Sequence, residues 1–79
     1  MDLLVTDFDG TFYDNNYENN IKFIESLSNI NFVIATGRNF PSLKKDLKIK
    51  CDYYICNDGG YILDKDYNLI YRNHINKKQ

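Results

Sequence analysis

The chain has 79 residues, ten basic and eleven acidic side chains, and a formal net charge of −1. This length allows one domain at most, and a core of this size supplies only about 3 to 5 kcal/mol of net stability. Because the charges are interspersed, the composition argues against a nucleic-acid-binding stripe or a surface for anionic membranes. The sequence has no apolar run long enough to span a bilayer and no basic start typical of a signal peptide, so we expect a cytoplasmic protein.

The cysteine content excludes two further classes of protein. Cys51 and Cys56 are too few for a disulfide framework. With His74 as the only histidine, they cannot supply the four ligands of a structural zinc ion. We therefore expect reduced, partly buried thiols.

The first predicted element is the apolar stretch 3–6, which is typical of a strand buried on both faces of a parallel sheet. Such strands present their chemistry at their carboxyl ends. If the chain turns at Gly10, Asp7 lies at the strand tip and Asp9 just beyond it, and two carboxylates converge on one small volume. This pair indicates a hard divalent ion or a proton-sharing acid and base; a solvated Asp-Gly turn is the alternative.

A helix and a second strand follow in the predicted order. Residues 12–20 are polar and turn-rich, and the apolar positions after them recur at helical spacing: Ile21, Ile24, Leu27 and Ile30. Residues 31–36 then form a second apolar strand. In a right-handed βαβ unit the two strands are parallel and adjacent, so Thr36 at the end of the second strand is expected near Asp7.

The end of this second strand carries a possible phosphate-binding group. A hydroxyl at Thr36, followed by Gly37, whose N–H can approach a ligand closely, suits a phosphate oxygen. A threonine at a strand end is by itself ordinary. Arg38 either binds a substrate anion with both arms of its guanidinium or anchors a carboxylate of the scaffold, and the sequence leaves both open.

The remaining elements are a helix, a strand and a hairpin. Pro41 lies just inside the start of a second helix. We interpret the lysines of this helix region as a solvated face. Residues 53–56 form a third strand, 57–60 form a turn, and 61–63 with 69–71 form a β-hairpin.

Three segments resemble one known family. Asp7-Phe8-Asp9-Gly10-Thr11 is similar to the DxDGT signature of the haloacid dehalogenase (HAD) superfamily of phosphatases and phosphotransferases. Ala35-Thr36-Gly37-Arg38 resembles the second motif in its Cof-type (IIB) form, and residues 55–60 resemble the Cof-type segment after the third strand. The family usually has asparagine where this chain has Asp58, which either helps to shape the substrate pocket or merely makes a tight turn.

The resemblance implies a fold and a domain organisation. We expect an α/β chain with a three-layer, Rossmann-like parallel sheet, truncated, with a C-terminal β-hairpin. The whole chain, 1–79, is then a single partial HAD-like core domain. Residues 1–60 form its βαβαβ core with the motifs, 61–72 the hairpin, and 73–79 a tail.

The resemblance also implies a mechanism. Asp7 would attack phosphorus to form an aspartyl-phosphate, and Asp9 would act as general acid and then as general base. Mg²⁺ would be held by the Asp7 carboxylate and the Asp9 carbonyl. The phosphate and the substrate would be bound by the other matching residues: Gly10, Thr11, Thr36, Gly37, Arg38 and Asp58.

Two later parts of the family pattern find no match in this sequence. The first is a lysine, and we assign its role to neither Lys77 nor Lys78. The second is a distal acidic motif on a fourth strand. Lacking them, the site would have low activity, since each such electrostatic defect costs on the order of a hundredfold to a thousandfold in rate. Without the fourth strand, the edge of residues 3–6 is bare, which predicts a homo-oligomer or a complementing chain at that edge.

The sequence thus supports several hypotheses on function. The first is a Mg²⁺-dependent phosphatase acting on small phosphorylated metabolites. The second is a catalytically incomplete fragment that serves as a binding or regulatory subunit. A phosphotransferase of the same superfamily shares the first chemical step, and a small α/β protein of structural role is the fourth possibility.

Overall fold

The chain folds around one five-stranded sheet in a computed structural model that describes residues 2–72. The strands lie side by side in chain order, and the first three are parallel. The next two each run antiparallel to the preceding strand. The elements are β1 (Asp2–Asp7), α1 (Tyr17–Ser26), β2 (Ile30–Ala35), α2 (Phe40–Asp46), β3 (Tyr53–Cys56), a 3-10 turn (Asn57–Gly59), β4 (Tyr61–Asp64) and β5 (Leu69–Arg72). The prediction of a mixed α/β chain with a parallel β1-β2-β3 core is confirmed, and the tail 73–79 lies outside the described residues.

Both helices pack on the same face of the sheet. One buried cluster contains Tyr17 and Ile21 of α1, Leu43 of α2, and inward-facing residues of β2 and β3. The physical reason is topological, because two right-handed crossovers that advance in the same direction place both helices on one side. The described part of the chain therefore has two layers, where the sequence analysis expected three.

Strand β1 is more exposed than its apolar sequence predicts. Among the described residues 2–72, it lies at one edge of the sheet and pairs only with β2. Leu3 is 62% exposed and Val5 50%, whereas Leu4 packs against the core. The expectation of burial on both faces was wrong, because within the described residues the helices cover only the face to which Leu4 points.

Helix α1 begins earlier than its apolar spacing predicts. It starts at Tyr17, inside the segment expected to be a loop, and ends at Ser26, so that Ile30 belongs to β2. The Tyr17 ring packs edge-on against Phe8 and Phe12. Burial raises the pKa of its phenol. An aromatic anchor therefore sets the start of this helix, which a count of aliphatic residues does not reveal.

The Tyr17 hydroxyl also connects the two helices. It donates a hydrogen bond to the carbonyl of Asp46 at 2.9 Å and accepts one from the N–H of Lys48 at 2.9 Å. Helix α2 begins as predicted, with Pro41 in its first turn and the Asn39 side chain accepting from the N–H of Ser42. The two hydrogen bonds of the Tyr17 hydroxyl hold the end of α2 against α1.

The two cysteines behave as expected. Cys51 and Cys56 are free thiols, and both are buried. Burial raises the pKa of Cys51 to about 12 and also raises the pKa of Cys56. Both thiols are therefore protonated and unreactive at neutral pH.

Candidate active site

A pocket of about 280 Å³ opens at the carboxyl ends of β1, β2 and β3. Asp7 is in register with Ala35, so the residue after β2 reaches the same edge of the sheet as the tip of β1. The pocket is lined by Asp7, Ala35, Thr36, Gly37, Ile55 and Asp58, together with Gly59. The parallel register thus brings two of the predicted motif residues, Asp7 and Thr36, to one cavity.

Thr36 is the buried hydroxyl of this pocket. Its side chain is among the buried polar groups, at 8% exposure, and its N–H donates to the carbonyl of Ile55 at 2.8 Å. The Oγ1 atom accepts a hydrogen bond from the N–H of Arg38 at 3.0 Å. Because Oγ1 already serves as an acceptor there, its own hydrogen can be donated to an anion in the pocket.

Asp58 forms the opposite wall. Asn57 and Asp58 both have positive φ, 53° and 54°, a conformation that Asn and Asp tolerate better than most residues. The N–H of Asp58 donates to the carbonyl of Thr36 at 3.0 Å, and the N–H of Asn57 donates to the carbonyl of Arg38 at 2.9 Å. The turn after β3 is therefore docked onto the loop after β2, and Asp58 both makes the turn and lines the pocket.

The close approach of Asp58 explains Gly37. A Cβ atom added at Gly37 would lie 3.0 Å from Oδ1 of Asp58. The sequence analysis interpreted this glycine as a residue whose backbone N–H can approach a phosphate oxygen closely. The structure adds a second requirement, because any side chain at this position meets the Asp58 carboxylate.

Asp9 lies outside this pocket, paired with Arg38. Its two carboxylate oxygens accept from Nη2 of Arg38 at 2.6 Å and from Nε at 2.9 Å. The other arm of the guanidinium donates to Asp46 at 2.7 Å and to the carbonyl of Ser42 at 3.2 Å. Hydrogen bonds to Asp9 and Asp46 hold the pKa of Arg38 above its usual range. Of the two alternatives left open for Arg38, the structure shows the anchoring of carboxylates.

Two aromatic rings complete the environment of Arg38. The guanidinium carbon lies 5.1 Å from the centre of the Phe8 ring and 5.6 Å from that of Tyr13, and the two rings stack on each other. Cation–π contacts of this kind fix the plane of an arginine. The sequence analysis did not identify Tyr13 or Asp46 as partners of Arg38, and no motif in the sequence marks them.

Gly10 and Thr11 belong to a tight loop beyond Asp9. Gly10 has φ of 77°, which accounts for glycine here, and its N–H donates to the carbonyl of Tyr13 at 3.2 Å. Thr11 is exposed and lines a different groove, beside β1. The predicted site residues therefore fall into three groups: Asp7, Thr36, Gly37 and Asp58 in the pocket, Asp9 with Arg38, and the loop Gly10 with Thr11.

The comparison with known families agrees with these motifs. A family model described as haloacid dehalogenase-like hydrolase matches residues 4–79. This chain belongs to the haloacid dehalogenase-like hydrolases. The match includes the last four residues of β1, up to Asp7, and the whole strand that precedes Thr36. Comparisons with curated proteins and with solved structures gave no match. Within residues 2–72, no helix is both long and apolar enough to cross a membrane.

The oxygen donors of this HAD-like site suit Mg²⁺ in type. The Asp7 carboxylate makes no hydrogen bond to another side chain within the described residues, and the Asp9 carbonyl accepts none there. Mg²⁺ commonly keeps several waters and binds through one or two carboxylates plus substrate phosphate. In residues 2–72 there is no group of three or more His, Cys, Asp or Glu side chains placed to hold a metal ion. A Mg²⁺ ion at this site would be held by the Asp7 carboxylate and the Asp9 carbonyl, with water and phosphate as its other ligands.

Proposed function

We propose that this HAD-like chain is a Mg²⁺-dependent phosphatase that hydrolyses phosphoric monoesters of small phosphorylated metabolites. The observation that carries the proposal is the meeting of Asp7 and Thr36 in one pocket at the carboxyl ends of adjacent parallel strands. A nucleophilic carboxylate and a hydroxyl donor are what phosphoryl transfer requires at this edge. The Cof-type subfamily is proposed from the segment Ala35-Thr36-Gly37-Arg38, and a cytoplasmic location from the composition.

Asp7 and Thr36 carry the first step of the proposed reaction. A carboxylate oxygen of Asp7 attacks phosphorus in line, the bond from phosphorus to the leaving oxygen breaks, and an aspartyl-phosphate forms. The Thr36 hydroxyl donates a hydrogen bond to a phosphoryl oxygen. The Asp7 carboxylate and the Asp9 carbonyl would hold Mg²⁺, which would neutralise charge on the transferring group.

Asp9 carries the proton transfers. It protonates the leaving oxygen and then takes a proton from the water that hydrolyses the aspartyl-phosphate. In the described conformation both of its oxygens are bound by Arg38. Asp9 can act as an acid only after one of its oxygens leaves the guanidinium and takes up a proton from water. Asp46 and the rings of Phe8 and Tyr13 meanwhile keep Arg38 in place.

The test is magnesium-dependent hydrolysis of an aryl phosphate by the purified chain and by Asp7→Asn prepared identically. Asp66→Asn is the matched control, since Asp66 is exposed, makes no side-chain hydrogen bond among the described residues and lies in the turn between β4 and β5. The proposal expects turnover in the wild type and in Asp66→Asn, and none in Asp7→Asn. Equal and measurable rates in all three proteins would show that Asp7 is not the nucleophile.

One observation favours the second candidate, a catalytically incomplete binding or regulatory subunit. Among residues 2–72, the pocket lining contains two carboxylates, Asp7 and Asp58, and no lysine or arginine. A phosphate dianion there meets repulsion from both carboxylates. This candidate expects no turnover in any of the three proteins.

Added alcohols distinguish a phosphotransferase from the phosphatase. A phosphotransferase passes the phosphoryl group to the added alcohol, so more aryl alcohol than free phosphate is released.

A further inference from the structure

Arg38 is fixed at several points that do not involve Asp9. Its N–H donates to Oγ1 of Thr36 at 3.0 Å, next to the pocket. The Nη1 group of its guanidinium donates to the carboxylate of Asp46 at 2.7 Å and to the carbonyl of Ser42 at 3.2 Å. None of these three contacts depends on Asp9, so the guanidinium has a place of its own beside α2.

The carboxylate of Asp9 is held only by Arg38 within residues 2–72. Its two oxygens accept from Nη2 and Nε, and no other hydrogen bond or ion pair of this side chain is present among the described residues. At 54%, the Asp9 side chain is also the most exposed of the three, against 29% for Asp46 and 22% for Arg38. If the pair separates, Asp9 is therefore the partner that is free to move.

Asp46 is suited to anchor the guanidinium because the backbone on both of its sides is fixed. It is the last residue of α2, and its carbonyl accepts from the hydroxyl of buried Tyr17 at 2.9 Å. The N–H of Leu47 donates to the carbonyl of Leu43, whose side chain is fully buried. A charge-assisted hydrogen bond to a carboxylate placed in this way holds a donor strongly.

Two aromatic rings also restrain the guanidinium. The ring of Phe8 is fully buried and stacks on that of Tyr13, with 4.8 Å between the ring centres. The guanidinium carbon lies 5.1 Å and 5.6 Å from these two centres. Cation–π contacts with packed rings oppose a displacement of Arg38 toward the solvent.

We propose that Asp46 is a positioning residue for the acid–base chemistry of Asp9, an inference that rests on the function proposed above. Asp46 keeps the guanidinium on α2, so that one oxygen of Asp9 leaves it, takes up a proton from water and gives it to the leaving oxygen of the phosphate ester. Without the second carboxylate, the guanidinium has one anionic partner and follows Asp9 as a bidentate pair. Both oxygens of Asp9 then stay occupied, and the leaving oxygen departs without a proton.

The choice of leaving group tests this role. The ratio kcat/KM compares the transition state with free enzyme and substrate, so it reports the step that expels the leaving group and omits the later hydrolysis of the aspartyl-phosphate. para-Nitrophenyl phosphate releases a stable anion, whereas phenyl phosphate releases a more basic one that gains from protonation. Asp46→Asn should lower kcat/KM about tenfold more for phenyl phosphate than for para-nitrophenyl phosphate. Asp46→Glu restores a carboxylate and should recover most of this difference.

Cys51→Ala is the control for a loss of stability alone. This buried residue precedes β3 and so lies at the end of the sheet opposite the pocket. The variant should leave the ratio between the two substrates unchanged. An equal loss on both substrates in Asp46→Asn, or the same change of ratio in Cys51→Ala, overturns the proposal while turnover that Asp7→Asn abolishes still supports the proposed function.

NMR measures the anchoring without any turnover. Ring currents of Phe8 and Tyr13 displace the signals of the Arg38 side chain. In Asp9→Ala these signals should stay displaced, because Asp46 still holds the guanidinium, and in Asp9→Ala combined with Asp46→Asn they should move to the values of a free arginine. Free values already in Asp9→Ala, or displaced signals in the double variant, overturn the anchor. A wild type without turnover overturns the proposed function and the catalytic role of Asp46 with it, whatever the NMR result.

Discussion

The carboxylate of Asp9 is bound through both oxygens by the guanidinium of Arg38, at 2.6 and 2.9 Å, 29 residues apart in sequence. The same guanidinium binds Asp46 at 2.7 Å. One arginine therefore fixes the residue proposed as acid and base to the last turn of α2. Its geometry makes the shape of the side chain, and not only its charge, important for the site.

Arg38→Lys tests this relationship. A lysine keeps the positive charge but cannot bind Asp9 with two parallel hydrogen bonds while also reaching Asp46. We expect a loss of about 1 to 2 kcal/mol in the free energy of unfolding, a moderate value because the pair is partly exposed to water. Urea denaturation measures it. Lys48→Arg, at a distant and exposed ion pair with Glu18, is the control, and an equal loss in both variants would contradict the prediction.

Asp58→Asn should improve the binding of an anion in the pocket. The change keeps the side-chain shape and the turn, since asparagine also tolerates positive φ, but removes one of two negative charges from the pocket lining. In a wet site a neighbouring charge is worth about 1 kcal/mol, so inorganic phosphate should bind roughly fivefold more tightly. Titration of phosphate with Mg²⁺ present, followed by NMR, measures this without any turnover. Asp66→Asn should show wild-type affinity, and weaker binding by Asp58→Asn would assign Asp58 a direct role in holding the ligand.

The sequence predicts the parallel core and the meeting of Asp7 with Thr36 because these follow from local pattern and general topology. An apolar run that ends in polar residues marks a strand tip, and a right-handed βαβ unit brings two tips together. The third strand, Tyr53–Cys56, and the first turn of α2 at Pro41 are marked in the same local way. The match to the family model spans these segments.

The sequence does not predict how the site residues divide among their partners. The positions of Asp9 and Asp46 relative to Arg38 in the sequence follow neither the helix period nor the strand period, so no pattern marks them as partners. Gly37 is required because Asp58 approaches it from another loop. The exposure of Leu3 and Val5 is missed for a different reason. Apolar runs reveal that a strand can be buried, but not whether a layer covers each of its faces.

Gly37→Ala and Asp58→Ala form a cycle that tests the contact between these positions. An alanine Cβ at position 37 would lie 3.0 Å from the Asp58 carboxylate, so that carboxylate must give way by a few tenths of an ångström. We expect Gly37→Ala to lower the free energy of unfolding more in the wild type than in Asp58→Ala, with a coupling energy of about 0.5 to 1 kcal/mol. Urea denaturation of the four proteins measures the coupling. Additive losses would mean that the substituted Cβ does not meet Asp58.

Stability should fall in alkaline solution because of the buried thiol of Cys51. Burial raises its pKa from 9.0 to about 12, so above pH 9 the thiol ionises in the unfolded chain while it stays neutral in the folded one. This contribution to stability is complete below pH 9 and is lost as the pH rises toward 12, with a limiting slope of about 1.4 kcal/mol per pH unit. Burial also raises the pKa of Tyr54, which adds to the loss at higher pH.

Urea denaturation of the reduced protein at a series of pH values from 7 to 11 measures this alkaline loss. Cys51→Ala is the comparison, because it removes the thiol and leaves Tyr54 in place. We expect the variant to be less stable at neutral pH, since it loses a buried side chain, but to have a shallower slope between pH 9 and 10, where Tyr54 contributes little. Equal slopes in the two proteins would show that the Cys51 thiol ionises as readily in the folded chain as in the unfolded one, against the effect of its burial.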